Sequence, residues 1–245
     1  MMRCIWALLL VTLVSGCATT APGSKVLAPE NCSLPYEISD PWEPFNRAVY
    51  RFNARVDEAV LLPVSRGYER VLPQPVRTGV SNFFSNLGEL KNVINHTLQG
   101  RPGRTLQSLG RFVVNTTAGV AGLFDVASPI GLEHQPTGFG DTLARWGTAP
   151  GPYLVLPLLG PSSVRDGSGL LFDAGVAYNV DLAGLYQSDN SWMLGTLAGI
   201  DMRSNVDFRY YESASPFEYE MVRFLYSNQR MLESGLVLPD PEQCE

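Results

Sequence analysis

Charged residues are scarce in this sequence. Only 17% of its 245 residues are Asp, Glu, Lys or Arg, whereas soluble domains average about 25%. Basic residues are also outnumbered, with 18 Lys and Arg against 24 Asp and Glu and a net charge of -6. Because a groove that follows phosphates needs a basic surplus, this deficit argues against a nucleic-acid partner. The low charge also fits a surface that does not face water everywhere.

Histidine and long apolar runs are scarce as well. With two His in the chain, a multi-histidine metal site is nearly excluded, and we expect no metal and no cofactor. The apolar run Ile5 to Val14 is far shorter than the about 20 residues of a membrane-spanning helix. The hydrophobic content of 45% is nevertheless ample for a folded core, which rules out disorder as the main state.

The N-terminal segment has the three regions of an export signal. Arg3 precedes the apolar run, and the small residues Ser15 and Gly16 precede Cys17. The run 14–17 (VSGC) resembles the bacterial lipobox, which predicts a signal peptide at 1–16 and a diacylglyceryl group on Cys17. The residue after the cysteine is Ala18 rather than the aspartate that retains lipoproteins in the inner membrane. By that resemblance, the protein is expected at the outer membrane.

Four cysteines are present, and processing would leave two of them as free thiols. Cys4 leaves with the signal peptide and Cys17 becomes a thioether, so that Cys32 and Cys244 remain. In an oxidising compartment these two are able to form a disulfide that ties the ends of the folded body together. Two unpaired thiols on the ends of the chain are the alternative, because sequence does not give the distance between them.

Periodicity divides the mature chain into a tether at 17–39, a helical domain at 40–233 and a tail at 234–245. The first helix is predicted to start at Asp40 as N-cap, with Pro41 in the first position and Glu43 reaching back to the cap. Its apolar stripe is expected to pack in the core, with polar residues on the opposite side. The stripe consists of Trp42, Phe45, Val49, Phe52 and Val56, and the polar side of Asn46, Arg47, Arg51, Asn53 and Asp57.

The same pattern predicts further short helices. We expect them around 76–87 and 90–98, at 106–116, at 192–200, and at 219–229 after a capping box at Ser215 to Glu218. Tyr153 to Leu156 is expected as a short edge strand, because Pro152 and Pro157 bracket it. The sequence therefore predicts a mostly α fold of many short amphipathic helices with Gly- and Pro-rich loops.

No enzyme site emerges from the sequence. There is no Gly-x-Ser-x-Gly elbow, and neither histidine lies beside a patterned nucleophile. His96 is expected at the surface or in a capping role, and His134 in a loop. Asp166 and Asp173 are seven residues apart, which fits an acid pair or, equally well, a solvated helix face.

Three classes of function remain open at this point. The lipid-anchored body handles membrane lipid, or it is an enzyme of lipid or cell-wall metabolism without a recognisable site, or it is a structural or assembly lipoprotein that docks to other envelope proteins. An anchor with two acyl chains already gives stable attachment. Amphipathic helices beyond that anchor therefore need another reason, and a water-soluble core is one.

Several ordered motifs bear on this choice. They are DPWEPFNR at 40–47, PQPVRTGVSNF at 73–83, GFGDTL at 138–143, WG at 146–147 and GPYLVLP at 151–157, with NT at 115–116 and RDG at 165–167 in the same order. Together they resemble the VacJ/MlaA family of phospholipid-transport lipoproteins, and the resemblance covers about 40–232. Ser215 stands where the family has an acidic residue.

The resemblance implies a ring of helices in the inner leaflet of the outer membrane with an amphipathic channel. Such a protein removes mislocalised phospholipid from the outer leaflet, works with a trimeric porin, passes the lipid to a soluble periplasmic carrier, and makes or breaks no bond. It also places a gate-like element near Asn82, Phe83 and Phe84, for which a helix core is the alternative. Tyr153 and Leu154 are further candidates for the lipid path. The cysteine pair Cys32 and Cys244 is not expected from the family.

Overall fold

The computed structural model describes residues 39–181, 187–212 and 215–233. The predicted signal peptide, Cys17, Cys32, Cys244 and the tail at 234–245 lie outside these residues. Lipidation and the disulfide therefore stay predictions.

The described chain is mostly α-helical, as predicted from the sequence. The helices are α1 Glu43–Val56, α2 Leu62–Val71, α3 Gln74–Leu98, α4 Pro102–Thr117, α5 Phe139–Arg145, α6 Val164–Asn179, α7 Ser191–Ser204 and α8 Glu218–Glu233, with a 3-10 turn at Ser128–Ile130 and the strands β1 Tyr153–Leu156 and β2 Gly160–Ser163. None of the helices in the described ranges has the length and hydropathy that a membrane span needs.

The first helix begins later than predicted. Its first residue is Glu43 and its N-cap position is Trp42, while Asp40 lies before the helix. The Asp40 carboxylate instead accepts hydrogen bonds from Asn46 at 2.7 Å and from the Tyr219 hydroxyl at 2.6 Å. The prediction of Asp40 as the cap was therefore wrong, because side chains distant in sequence compete for its oxygens.

A π-helical turn, Asp57–Leu61, joins α1 directly to α2. Pro63 follows it and has no N–H to donate into the preceding turn, which favours a local change of helical register. The buried carboxylate of Asp57 lies at this turn and forms an ion pair with Arg203 of α7 at 2.6 Å. The ion pair therefore fixes α7 to the joint between the first two helices.

The third helix is one element of 25 residues, and the prediction of two shorter helices was wrong. Pro75 lies in its first turn, as the sequence indicates, and Gly100 follows its end with φ +65°. Gly88 in its middle costs about 1 kcal/mol relative to alanine. On either side of Gly88, Asn86 donates to Thr116 of α4 and Asn92 donates to Glu89 within the helix, and these bonds hold the helix through this position.

The two strands form an antiparallel hairpin in which Tyr153 pairs with Ser163 and Leu156 with Gly160. This confirms the predicted strand at 153–156. The small apolar core lies where the hairpin meets α1 and α8 and contains Val49, Tyr50, Tyr153, Val155 and Tyr219. A core this small leaves most large apolar side chains elsewhere, and their position is the main feature of the molecule.

Candidate functional site: an apolar exterior around buried polar networks

The polarity of the first helix is inverted at most predicted positions, although Val49 is buried and Arg51 is exposed as predicted. Asn46 and Asn53, assigned to the solvent side, are buried, whereas Trp42, Phe45 and Phe52 are 45%, 55% and 50% exposed. The prediction that Trp42 and Phe45 pack in the core was wrong. A period of 3.6 residues identifies two faces of a helix, but it does not say which face turns inward.

Other helices repeat this inversion. On α4, the buried residues are Ser108, Arg111 and Asn115, while the apolar residues predicted as its stripe are largely exposed. The exposed large apolar side chains, here called the apolar exterior, include Leu106, Leu109 and Val113 on α4, Leu170, Leu171 and Phe172 on α6, Trp192 and Met193 on α7, and Phe224 and Leu225 on α8. A soluble monomer rarely exposes so much apolar surface, so this exterior fits non-aqueous surroundings.

The interior between α3 and α4 is organised around Glu89. Arg111 forms an ion pair with this carboxylate at 2.6 Å, and both side chains are at most 4% exposed. His134 contacts the same oxygen at 2.8 Å, and Asn92 donates to the other oxygen at 3.0 Å. The Arg111 guanidinium also donates to Ser128 and to the carbonyl of Leu132.

The surroundings keep Glu89 ionised. Burial alone would raise the pKa of Glu89, because a charge is poorly solvated inside a protein. Hydrogen bonds from His134, Asn92 and Arg111 outweigh burial and hold the pKa below its ordinary value. The carboxylate thus acts as a fixed negative centre that holds two helices and the 128–134 loop together.

A second network joins α3, α5 and α6. The Asn95 amide donates to Asp173 at 2.9 Å and accepts from the Thr142 hydroxyl at 2.9 Å. The other oxygen of Asp173 accepts from the backbone N–H of Phe139 at 2.9 Å. Gly138 allows this approach, since a Cβ there would lie 2.9 Å from the Asp173 carboxylate.

The two aspartates of α6 have structural partners. The carboxylate of Asp166 accepts hydrogen bonds from Tyr226 at 2.6 Å and from Arg230 at 2.8 Å, and it pairs with Arg165 at 3.0 Å. Burial alone would raise its pKa, but the bonds from Arg230, Tyr226 and Arg165 hold the pKa well below its usual range. Because Asp166 and Asp173 are both bound inside the protein, the interpretation of a solvated face was wrong.

One of the two histidines lies where the sequence predicted it, and the other does not. His96 is buried, not at the surface as predicted, and its Nε2 lies 3.1 Å from the carbonyl of Gln135. His134 lies in an exposed loop, as predicted, and contacts Glu89. Among the described residues, no group of three or more His, Cys, Asp or Glu side chains is placed to hold a metal ion.

The residues predicted for a lipid path lie in two places. Tyr153 is buried in a cluster of tyrosines, with ring centroids 6.1 Å from Tyr219 and 6.0 Å from Tyr226. Burial raises the pKa of the Tyr153 hydroxyl above its ordinary value, so this group stays protonated. Leu154 follows it on β1 and is half-buried.

Asn82, Phe83 and Phe84 lie on α3 and are half-buried. The Asn82 amide donates to the carbonyl of Leu123 at 3.2 Å, and the rings of Phe83 and Phe84 meet edge to face with centroids 5.4 Å apart. Asn82 thus holds the turn at 119–124 against α3.

The turn at 119–124 combines backbone strain with exposed apolar residues. Val120 and Ala121 have φ +52° and +58°, which L-residues with a side chain rarely adopt. Val120 and Phe124 are exposed and belong to the apolar exterior. No sequence signal other than Gly119 and Gly122 pointed to this turn.

Two cavities open among charged side chains. The larger has a volume of about 760 Å³ and lies beside the π-helical turn, where arginines and acidic residues alternate in its lining, among them Arg51, Arg55, Asp57, Glu58, Arg66 and Glu212. The second, of about 540 Å³, lies beside the C-terminal half of α3, and most of the charged residues in its lining are cationic. Neither cavity is predictable from the sequence, since their linings combine residues from distant parts of the chain.

Known proteins are similar to this chain in sequence and in fold. The family model described as MlaA lipoprotein matches residues 38–233. The intermembrane phospholipid transport system lipoprotein MlaA of Escherichia coli is 35% identical over 229 residues, which are 88% of this chain and 82% of that protein. A protein of Rickettsia typhi is 40% identical over 162 residues, 66% of this chain; the chain spans only 63% of that relative's length.

A solved structure is similar as well. It comes from work described as "Structural basis for maintenance of bacterial outer membrane lipid asymmetry", and it matches 80% of this chain and 99% of its own with a TM-score of 0.65 and 32% identity. Sequence and fold thus agree over the same helical body. This chain belongs to the MlaA lipoprotein family.

Proposed function

We propose that this protein is an outer-membrane lipoprotein that removes mislocalised phospholipid from the outer leaflet and so maintains lipid asymmetry. The helical body sits as a ring in the inner leaflet, and phospholipid passes through an amphipathic channel to a soluble periplasmic carrier. Family membership and the names of the relatives support this proposal. The protein makes and breaks no bond in this process.

The observation that carries the proposal is the apolar exterior. Apolar side chains such as Phe45, Leu171 and Trp192 are exposed while Asn, Glu and Arg side chains are buried, which is favourable when the outside meets acyl chains and unfavourable in water. Helices lying in the bilayer plane need no long apolar run, because only one face of each contacts lipid.

The proposed mechanism follows from the cost of moving a charged head group through the membrane. A phospholipid head group crosses hydrocarbon only at a high cost, because its charges lose their water. A path with polar groups for the head and apolar groups for the tails lowers this barrier without supplying energy. Net direction then comes from the carrier's affinity and from the lipid composition of the outer leaflet.

Attachment and partners are part of the same proposal. Cys17 carries the acyl anchor, and a trimeric porin holds the ring in the membrane. The lipid path includes Asn82, Phe83, Phe84 and Leu154, with Tyr153 supporting it from the tyrosine cluster. A disulfide between Cys32 and Cys244 closes the ends of the body.

Deletion of the gene, followed by measurement of surface-exposed phospholipid, tests the function. We expect more phospholipid in the outer leaflet and a weaker barrier to detergent, restored by the wild-type chain. Unchanged leaflet composition would instead favour a docking or assembly lipoprotein. Incubation of the purified protein with labelled phospholipid is the matching enzyme test, and recovery of intact lipid alone is expected.

The anchor and the disulfide have separate tests. Cys17→Ala should release the protein to the soluble periplasmic fraction or block its processing, and normal cleavage with normal membrane fractionation would contradict lipidation. For the disulfide, thiol labelling of exported protein under non-reducing conditions should leave Cys32 and Cys244 unmodified. Alkylation of both would contradict the bond.

A further inference from the structure

The smaller cavity concentrates positive charge. It has a volume of about 540 Å³, within the about 300–1,000 Å³ typical of small-molecule sites. Its cationic lining residues are Lys91, Arg101, Arg104, Arg145, Arg165 and Arg230, and its acidic ones are Asp141 and Glu233. In a chain with a net charge of -6, such a cluster needs a separate explanation.

Most of these cations are not neutralised from within the protein. Arg165 and Arg230 share the Asp166 carboxylate, and Arg230 also pairs with Asp141 and Glu233. Within 39–181, 187–212 and 215–233, by contrast, no carboxylate forms an ion pair with Lys91, Arg101, Arg104 or Arg145.

The cations also repel one another. Burial lowers the pKa of Arg101, and the positive charges of Arg145 and Arg104 lower it further. A bound anion would relieve this repulsion.

Two buried nitrogen atoms belong to side chains of this lining. His96 and Arg165 are 1% and 4% exposed, and both border the cavity. Arg165 Nη2 and His96 Nδ1 have no hydrogen-bond partner among the described residues. Buried polar atoms without a partner are rare in proteins and need an explanation, and a ligand in the cavity is one.

The two atoms differ in what they are able to bind. Arg165 Nη2 is a donor and suits a phosphate oxygen. His96 Nε2 faces the Gln135 carbonyl at 3.1 Å, so in the neutral imidazole Nδ1 is an acceptor. It suits a hydroxyl or ammonium group of the same ligand.

An aromatic cluster includes Phe139 and Trp146, which are the sequence neighbours of the cavity-lining residues Gly138 and Arg145. Phe139 stacks on Phe172 with ring centroids 3.8 Å apart and meets Trp146 edge to face at 5.8 Å. Trp146 is exposed and belongs to the apolar exterior. Its neighbour Arg145 lines the cavity. A cavity-lining cation and an exposed aromatic side chain are thus consecutive residues at the end of α5, an order that suits an amphiphile.

We propose that this cavity binds the phosphate of a phospholipid head group, with Arg101, Arg104 and Arg165 contacting the phosphate oxygens and the acyl chains lying against Phe139, Trp146 and Phe172. The inference rests on the proposed transport function and adds the place where the head group is held. Charge complementarity selects the phosphate, and the aromatic cluster selects lipid over free phosphate.

Equilibrium binding of labelled dihexanoyl phosphatidylglycerol to the full-length protein in mild detergent tests this site. The variant is Arg101→Gln with Arg104→Gln, neither of which forms an ion pair among the described residues. The control is Arg55→Gln with Arg66→Gln, which removes the same charge from the larger cavity. Loss of two charge-assisted contacts should weaken binding by about tenfold or more in the variant, with little change in the control.

The outcomes separate the inference from the proposed function. Equal affinity of wild type and the Arg101/Arg104 variant would overturn the head-group site while leaving transport intact. No lipid binding by the wild type, together with unchanged leaflet composition on deletion, would contradict the proposed function itself. Inorganic phosphate that competes as well as the lipid would identify a free-phosphate site and overturn the lipid assignment. If circular dichroism shows that the double variant does not fold, the single variant Arg104→Gln, at an exposed position, gives the same comparison.

Discussion

The side chain of Asn46 pairs with the backbone of Val155 as a neighbouring strand would. Its Oδ1 accepts from the Val155 N–H at 2.9 Å, and its Nδ2 donates to the Tyr153 carbonyl at 3.1 Å. Asn53, two turns further along α1, does the same for Leu156 and Leu158 at 2.9 and 2.8 Å. Two amides on one helix face therefore satisfy the free edge of β1 and fix the hairpin to α1.

Asn46→Leu should destabilise the protein strongly. The substitution keeps the size of the side chain but leaves the Val155 N–H and the Tyr153 carbonyl buried without partners, at a cost of about 2–4 kcal/mol. Urea unfolding in detergent, followed by tryptophan fluorescence, measures it. The adjacent exposed Phe45→Leu is the control and should change stability by less than about 0.5 kcal/mol. Similar losses in the two variants would contradict the role of Asn46.

Arg111→Met tests the buried charge at Glu89. Removing the guanidinium takes the ion-pair partner from the buried Glu89 carboxylate, which keeps only its contacts with His134 and Asn92, and should cost about 3–5 kcal/mol in unfolding free energy. Exposed Arg70→Met, at a site without an ion pair among the described residues, serves as control and should be nearly neutral. If the double variant Arg111→Met/Glu89→Gln were no more stable than Arg111→Met, the unpaired charge would not be the cause.

Stability should fall in acid through Asp125. Burial alone would raise its pKa, but hydrogen bonds from Ser128 and Asn115 outweigh it and lower the pKa from 3.8 to about 2. Because the folded-state pKa is depressed, the stabilisation is complete above pH 3.8 and is lost as the pH falls toward about 2.

The linked free energy is about 2 kcal/mol. Unfolding of Asp125→Asn, compared across this pH range with the wild type, should lack that part of the pH dependence. Glu58→Gln, at an exposed position, should keep the wild-type dependence. Parallel pH profiles of wild type and Asp125→Asn would count against the linkage.

Gly122→Ala should disturb the turn that rests on α3. Gly122 has φ +89°, and a Cβ there would lie 2.7 Å from the side chain of Asn86. We expect a loss of more than about 1 kcal/mol. Gly88→Ala is the control, because a Cβ at that helical position has nothing within 4 Å and should stabilise the helix by about 0.5–1 kcal/mol. Thermal melting in detergent distinguishes the two variants. Equal changes in their melting temperatures would refute the steric argument.

The apolar exterior should bind lipid without the acyl anchor. In a Cys17→Ala background, Phe45→Ser with Phe52→Ser should lower partition into liposomes by about tenfold or more, since each Phe contributes about 1.5–3 kcal/mol on burial. Flotation with phospholipid vesicles measures this. Ala48→Ser, exposed on the same helix, is the control. Unchanged flotation of the Phe variant would exclude this face from lipid contact.

Local patterns predicted some of the elements but missed α2, α5, α6 and β2. The hairpin strand at 153–156, α4, α7 and α8 follow from periodicity and proline positions, because these signals act within a few residues. The start of α1 and the continuity of α3 could not be predicted from these local signals. They depend on Asp40 meeting Tyr219 and on Asn86 meeting Thr116, contacts between residues far apart in the chain.

The sequence by itself determined the helical class and the family, because these depend on local periodicity and ordered motifs, and it predicts the export and lipidation signals. Only the tertiary structure decided that Asn46, Glu89 and Asp173 face inward while Phe45 and Trp192 face outward. The physical reason is that an amphipathic helix has the same period in either orientation, and buried polar partners from distant segments, together with the medium outside, select one of the two.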